Sequence, residues 1–295
     1  MSFDDQIYSF LVNEFSQLKF NKSKLHLSGR DLIIIREETR KIQVVTIPMN
    51  FFKDGKNVDL LSIRRSSTYE TIFLYEDVWL RDSLMFEKRM AAHLGKARNI
   101  YARNCEIREI TNELASTFLS KNHSYGWAKA KYCYGLFRYR KTGVGEIDKI
   151  GDDISPNGLV AVASFSQGLK MKHEDSRMSY EWVRYASLPD VRVLGGMGKM
   201  LKHFIKNVEA DEVMSFSDDE WSSGDVYSKL GFKIESRRKA VEFIIDMKTF
   251  HRISVQKILH DKKYAMYKGL LYSNAPRIWN LGSTKWRMLG QVADR

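Results

Sequence analysis

Residues 180–232 constrain this chain more than any other stretch. They read YEWVRYASLPDVRVLGGMGKMLKHFIKNVEADEVMSFSDDEWSSGDVYSKLGF. The residues at 180–187 favour a strand, and those at 198–208 have helical spacing. Between them lie Gly195, Gly196 and Gly198, where a strand hands over to a helix. Such a junction presents backbone N–H groups that no carbonyl of the same helix can reach, together with the positive end of the helix dipole. A diphosphate suits that arrangement; a ligand-free tight turn suits it too, since glycine is the residue of tight turns.

The flanking sequence extends the pattern. Strands are predicted at 105–110, 132–139, 159–166, 212–217, 232–237 and 240–247, and helices after Thr111 and at 222–230. The order is strand, helix, three strands, helix, strand, helix, two strands. This predicts an α+β domain over 105–247. Polar loops are expected at 140–158 and 167–179. Upstream, an amphipathic helix at 3–20, a hairpin at 25–35, strands at 41–48 and 71–75, and a helix at 80–94 predict a smaller α/β domain over 1–104. The remaining 248–295 is expected to form a basic, aromatic tail with a helix near 251–267.

Charge is uneven. The net charge is +12, and residues 248–295 carry ten Lys/Arg against two Asp/Glu. Phe250, Tyr264, Tyr267, Tyr272, Trp279 and Trp286 interleave with those cations. Basic flanks with interleaved aromatics point to a polyanion, most simply nucleic acid; the same aromatics also suit a tail that docks on the body. No apolar run is long enough to span a bilayer, so no membrane partner is expected. The opening residues, MSFDDQIYSF, lack the pattern of a secretory signal. Two cysteines outside any Cys-x-x-Cys pair argue against a disulfide framework or a metal site, and a cytoplasmic setting is expected.

With that element order and Gly195-Gly196-Met197-Gly198-Lys199 at the turn, residues 105–247 resemble the GNAT N-acetyltransferase superfamily, which implies a mixed and mostly antiparallel sheet between flanking helices. The phosphate loop of the family is Arg/Gln-x-x-Gly-x-Gly/Ala. Here Gly196-Met197-Gly198 supply Gly-x-Gly, Val193 stands in the Arg/Gln position, and Arg192 lies one residue earlier. The resemblance implies an acetyl-CoA or related acyl-CoA cofactor held by Arg192, Val193, Leu194, Gly195, Gly196, Met197, Gly198 and Lys199. It implies that Tyr227, in the second signature Val226–Phe232, protonates the departing thiolate. Glu181 is the first choice for the base that takes the proton of an amine acceptor, and Asp218 the second; either is also readable as a structural carboxylate. Arg184 is expected either to neutralise Glu181 or to bind substrate. His123 lines the acceptor site or caps a helix.

The phrases around the two signatures look like GNAT-like proteins of phages and mobile elements, near the Mom-type DNA-modification proteins. That neighbourhood implies a nucleic-acid acceptor. Residues 5–100 resemble small Vsr-type endonuclease-like domains. Asp31 matches a first metal-binding carboxylate, while Gln43-Val44-Val45 lacks the carboxylate and lysine of the next strand, so a degenerate nuclease is expected. Alternatives stay open: a non-catalytic nucleic-acid binder on the same fold, a small-molecule or protein N-acetyltransferase, and a metal nuclease at Asp31.

Overall fold

The computed structural model describes residues 1–139, 158–171 and 177–290. Most of the loop expected at 140–158 and the middle of that at 167–179 lie outside the described residues. The chain forms two compact units, each assembled from separated stretches. The first comprises Met1–Ser83, Ser217–Asp225 and Ser236–Thr284; the second comprises Leu84–Phe216, Val226–Glu235 and Lys285–Arg295. Boundaries at 104 and 247 are therefore not the ones the fold makes. The reason is strand pairing across long sequence separations. No helix among the described residues is long and apolar enough to cross a membrane.

In the first unit, strands Phe20–Leu27, Arg30–Glu37, Ile42–Ile47 and Glu70–Tyr75 lie side by side in that order. The first three run antiparallel and the fourth runs parallel to the third. All of Ile42–Ile47 is buried, as a strand covered on both faces requires. Ser28 and Gly29 both take positive φ, the pair of conformations a two-residue hairpin favours. Helix Phe3–Glu14 starts at Ser2, whose hydroxyl accepts the Asp5 N–H, and buries Phe3, Ile7 and Leu11 at four-residue spacing.

The C-terminal region completes this unit. Strand Glu242–Ile245 lies between Arg252–Ser254 and Arg277–Trp279. Ile245, Ile278 and Leu281 enter the core beside Ile34, Phe52 and Phe73. The helix expected at 251–267 is interrupted. Helix Val255–His260 ends at Asp261, whose side chain accepts the Lys263 N–H and starts a separate 3-10 run, Lys262–Tyr272. Of the tail aromatics, Phe250 and Trp279 pack against the main core, and Tyr264 and Tyr267 against a small cluster around Ile253 and Ile258. Tyr272 is 90% exposed.

The second unit is a mixed sheet with a helix on each face, the α+β class expected. Its strands run in the spatial order Lys233–Arg238, Ser283–Leu289, Glu212–Asp218, Met178–Ser187, Leu159–Phe165, Tyr132–Arg138, Cys105–Glu109. The tail thus contributes Ser283–Leu289 to this sheet, one strand in from its edge. Helix Asn112–Asn122 packs Ala115, Phe118 and Leu119 on one face, over Cys133, Val162 and Ala186. Helix Gly196–Val208 packs Met200, Leu201 and Phe204 on the other, over Ala161, Ala163, Phe165 and Trp182. The Phe165 and Phe204 rings stack at 3.8 Å. Two short strands add to the expected order. Leu169–Lys170 pairs with Met178–Ser187, and Val191–Leu194 runs parallel to Arg98–Tyr101. The last expected strand, at 240–247, belongs instead to the first unit.

Candidate active site

The site centres on strand Met178–Ser187. Against Leu159–Phe165 its register slips between Trp182 and Arg184, so Val183 forms a bulge. Its other edge pairs in parallel with Glu212–Asp218 at three positions only: Ser179 with Glu212, Tyr180 with Val213, and Glu181 with Met214. Both strands continue past that point, yet the ladder stops. Ser215 instead sends its hydroxyl to the Trp182 carbonyl at 3.0 Å, a side-chain bond where a backbone bond would otherwise form. The two strands therefore part beside the bulge.

Tyr227 sits at that parting. Its hydroxyl lies 3.1 Å from Ser215 Oγ and 3.4 Å from the Phe216 carbonyl. Its ring stacks on Trp286 at 5.6 Å and meets the edges of Phe232 and Trp182. Burial raises its pKa; the Ser215 hydrogen bond and the Arg184 charge pull the other way. Tyr227 therefore carries its proton at neutral pH, as a donor must.

Glu181 lies on the same strand, half-buried, and its backbone N–H and C=O bond Ser166. Arg184 donates Nε to the Gly126 carbonyl at 3.2 Å and Nη1 to the Val183 carbonyl at 2.8 Å. Burial lowers the Arg184 pKa, and Glu181 is the first group to oppose that. The two are thus electrostatic neighbours beside the bulge. His123 closes helix Asn112–Asn122, and its Nδ1 accepts the Tyr125 N–H at 3.1 Å. Burial first, then Arg184 and Arg89, push its pKa to about 3. It is neutral at ordinary pH and too weakly basic to deprotonate an amine.

The glycine turn is partly explained by internal packing. Gly195 caps the helix with φ 76°, a left-handed conformation natural to glycine. A Cβ on Gly196 would lie 2.7 Å from the Tyr185 hydroxyl and 2.9 Å from a Val193 methyl. Gly198 is less tight, its Cβ position lying 3.1 Å from a Leu230 methyl. The first intrahelical turn closes with Lys199 N–H on the Gly195 carbonyl. The amides of Gly196, Met197 and Gly198 precede it and have no acceptor within the helix. On strand Val191–Leu194, Val191 and Val193 are buried while Arg192 is exposed and Leu194 half-buried. Val193 is thus a core side chain, and Arg192 is the loop cation facing solvent.

Two expected residues have other engagements. Lys199 donates Nζ to the Ala102 carbonyl at 2.9 Å and to the Cys105 carbonyl, tying the glycine helix to the segment before the first strand. Its ammonium is engaged by those two carbonyls. Asp218 falls in the first unit. Its Oδ1 accepts the Glu220 N–H at 2.9 Å, and its carbonyl accepts the Trp221 and Ser222 N–H groups, so it closes a turn. Arg184 lies within electrostatic reach of both Glu181 and Tyr227. Ser215 was missed, and its only sequence signal is a small polar residue inside the strand motif EVMSFSD.

In the first unit Asp31 bonds Lys24 at 2.6 Å and His26 at 3.0 Å, and hydrogen bonds from these two neighbours, Lys24 first, lower its pKa. Asp54 pairs with Arg30. Among the described residues no group of three or more His, Cys, Asp or Glu is placed to hold a metal ion.

No family model matches the chain, and no curated protein matches it. Solved structures with a similar arrangement include the ribosomal-protein-S18-alanine N-acetyltransferase of Escherichia coli, at 11% identity and a TM-score of 0.37. That match covers 65% of this chain and 97% of the other. The NatC complex bound to Gag peptide and CoA is similar at 11% identity and a TM-score of 0.35, covering 63% of this chain and 98% of that one. A Bacillus subtilis acetyltransferase in complex with CoA is similar at 12% identity and a TM-score of 0.35, over 63% of this chain and 98% of the other.

Proposed function

We propose that the second unit transfers an acyl group from acyl-CoA to an amine. One observation carries the reading. The parallel ladder ends at Glu181 and Met214, beside the bulge at Val183, and a protonated tyrosine stands at the gap. Strands that part there leave room for a thin chain such as pantetheine. The amides of Gly196, Met197 and Gly198, with Arg192, suit the diphosphate at its other end. When bound, the cofactor supplies an activated thioester. The amine nitrogen attacks the thioester carbonyl, and the C–S bond breaks. Tyr227 gives its proton to the leaving sulfur, and Glu181 takes one from the attacking nitrogen, so charge and protons balance. A bulge residue lacks a ladder partner, which makes the Val183 N–H the candidate to hold the carbonyl oxygen as it gains charge.

The acceptor we favour is nucleic acid, as in Mom-type modification. The support is the charge of the C-terminal region. The run Lys262–Tyr272 carries Lys262, Lys263 and Lys268 on its exposed surface and ends in an almost fully exposed Tyr272. Cations beside free aromatic rings suit phosphates and stacked bases. The same surface favours a second reading, a nucleic-acid binder without chemistry. Calorimetry with acetyl-CoA separates the two. Saturable heat that disappears in Gly198→Asp, which places a carboxylate at the amides, supports the transferase. No heat from folded protein removes it and leaves the binder. A short single-stranded DNA whose affinity does not fall with added salt would remove the nucleic-acid acceptor.

A further inference from the structure

Strand Arg98–Tyr101, absent from the expected order, lies against the approach to the glycine turn. It runs parallel to Val191–Leu194, with Val191 level with Arg98, Arg192 with Asn99, Val193 with Ile100 and Leu194 with Tyr101. Val191, Val193 and Ile100 are buried. Side chains alternate along a strand, and level partners share a face. Asn99, Tyr101, Arg192 and Leu194 therefore make up the opposite face, the outer one. Tyr101 is level with the residue that precedes Gly195, and it is 49% exposed. The next residue touches the turn itself: the Ala102 Cβ lies 3.8 Å from where a Cβ on Gly195 would stand.

The outer face is aromatic and cationic. The Arg103 guanidinium stands over the Tyr101 ring, 4.8 Å from its centre. Guanidinium and ring attract each other, so the cation braces one side of an exposed aromatic. Among the described residues neither Arg103 nor Arg192 has an ion-pair partner. Neither strand carries an acidic residue. The nearest in sequence, Asp190, bonds the Arg98 N–H through its carbonyl and so marks the end away from the turn. A braced, exposed ring beside unpaired arginines suits a planar base that carries phosphate.

The covalent structure of CoA supplies such a group at this place. Its diphosphate is esterified to the 5′ oxygen of an adenosine, and the 3′ oxygen of the same ribose carries a further phosphate. A diphosphate held by the amides of the glycine turn therefore brings a purine and a second anionic group to the residues next to that turn.

We propose that Tyr101 stacks the adenine of acyl-CoA and that Arg103 meets its 3′-phosphate, while Arg192 stays with the diphosphate. Naming the ligand as CoA rests on the transferase reading; the fit of ring and cation to a phosphorylated purine does not.

The test is calorimetry on the full chain with CoA, 3′-dephospho-CoA and adenosine 3′,5′-bisphosphate. Tyr101→Leu should weaken CoA and 3′-dephospho-CoA alike, by about tenfold, and Tyr101→Phe should stay close to the parent. Arg103→Gln should weaken CoA by about tenfold and leave 3′-dephospho-CoA unchanged. Both positions are exposed, and both changes keep the Tyr101 carbonyl that accepts the Cys105 thiol, so the variants fold. CoA binding that neither variant weakens overturns the proposal and leaves the transferase reading in place. Equal losses for CoA and 3′-dephospho-CoA in Arg103→Gln overturn the phosphate contact, by tracing the effect of Arg103 to the ring. Heat from adenosine 3′,5′-bisphosphate that both variants weaken, with none from CoA, keeps the purine platform and removes the transferase. No heat from either ligand removes both.

Discussion

Arg252 holds two buried carboxylates in the first unit, and removing it gives the most quantitative test of this fold. Its guanidinium grips Asp77 with two bonds, Nε to Oδ2 at 2.7 Å and Nη2 to Oδ1 at 3.2 Å, and reaches Glu220 Oε1 with Nη1 at 2.6 Å. The Asp77 side chain is fully buried and that of Glu220 is 5% exposed. One cation therefore serves two anions. Burial first, with the nearby carboxylates of Asp218 and Asp77 adding to it, lifts the Glu220 pKa from 4.5 to about 7 despite Arg252. Arg252→Met leaves both carboxylates without their cation, which costs about 3–5 kcal/mol. The pH dependence has a definite sign. The folded-state pKa of Glu220 exceeds the unfolded one, so the folded protein binds an extra proton between the two values. Its contribution to stability is full below pH 4.5 and is lost as pH rises through 7. At roughly 1.4 kcal/mol per pKa unit, that change is on the order of 3 kcal/mol. Urea unfolding followed by tryptophan fluorescence at several pH values between 5 and 8 measures both effects. Glu220→Gln removes this falling component from the variant, so the stability difference between variant and parent should change with pH across that range. A loss below about 1 kcal/mol in Arg252→Met would refute the buried-triad account. So would a Glu220→Gln difference that does not depend on pH.

Three further outcomes follow from the second unit. Tyr227→Phe keeps the ring stack on Trp286 and removes only the proposed proton donor, so the proposed acyl transfer should fall about 10²–10⁴-fold while CoA affinity by calorimetry stays the same. Lys199→Met should leave CoA affinity unchanged and lower the unfolding midpoint, since it strips the ammonium from the Ala102 and Cys105 carbonyls at a cost of about 1–3 kcal/mol; a large drop in CoA affinity at full stability would return Lys199 to the cofactor site. Gly196→Ala drives a methyl to within 2.7 Å of the Tyr185 hydroxyl and should cost about 1–3 kcal/mol in denaturant unfolding.

The order of elements in the second unit was legible because each is local. Period-two runs marked the strands, and helical spacing marked Gly196–Val208. The domain boundaries were not legible. Ser283–Leu289 enters the sheet between Glu212–Asp218 and Lys233–Arg238. Nothing within those seven residues announces a partner so far away in sequence. Val193 teaches the same lesson at one position. Read as a motif it is a lost Arg or Gln, but strand alternation makes it a core side chain and turns Arg192 outward. Lys199 and Asp218 were singled out for their charge, and each also bonds backbone groups, which a list of residue types does not reveal. The helix expected at 251–267 failed at Asp261, a residue that favours starting a helix over continuing one. Tyr227 was singled out from its signature, while its hydrogen-bond partner Ser215 became visible only once the strands were seen to part.

That partner decides whether the parting strands and the tyrosine form one device. The break in the ladder leaves the Trp182 carbonyl without a backbone donor on that edge, and Ser215 supplies one. The same oxygen touches the Tyr227 hydroxyl, so a single side chain both holds the parted edge and sets the direction of the phenol. Ser215 is 2% exposed, so Ser215→Ala leaves a buried carbonyl unpaired and should cost about 1–3 kcal/mol of stability. Its effect on rate is indirect. With Ser215 gone, Tyr227 keeps only the long 3.4 Å contact to the Phe216 carbonyl, so transfer should slow, though less than in Tyr227→Phe. If Ser215 acts on the chemistry only by aiming the phenol, then once the phenol oxygen is gone the serine has nothing left to aim. The double variant Ser215→Ala, Tyr227→Phe should then be no slower than Tyr227→Phe alone, the non-additivity expected of two groups in direct contact. Rate losses that multiply in the double variant would show that Ser215 reaches the reacting atoms by another route, and the link between the parted strands and the proton donor would fall.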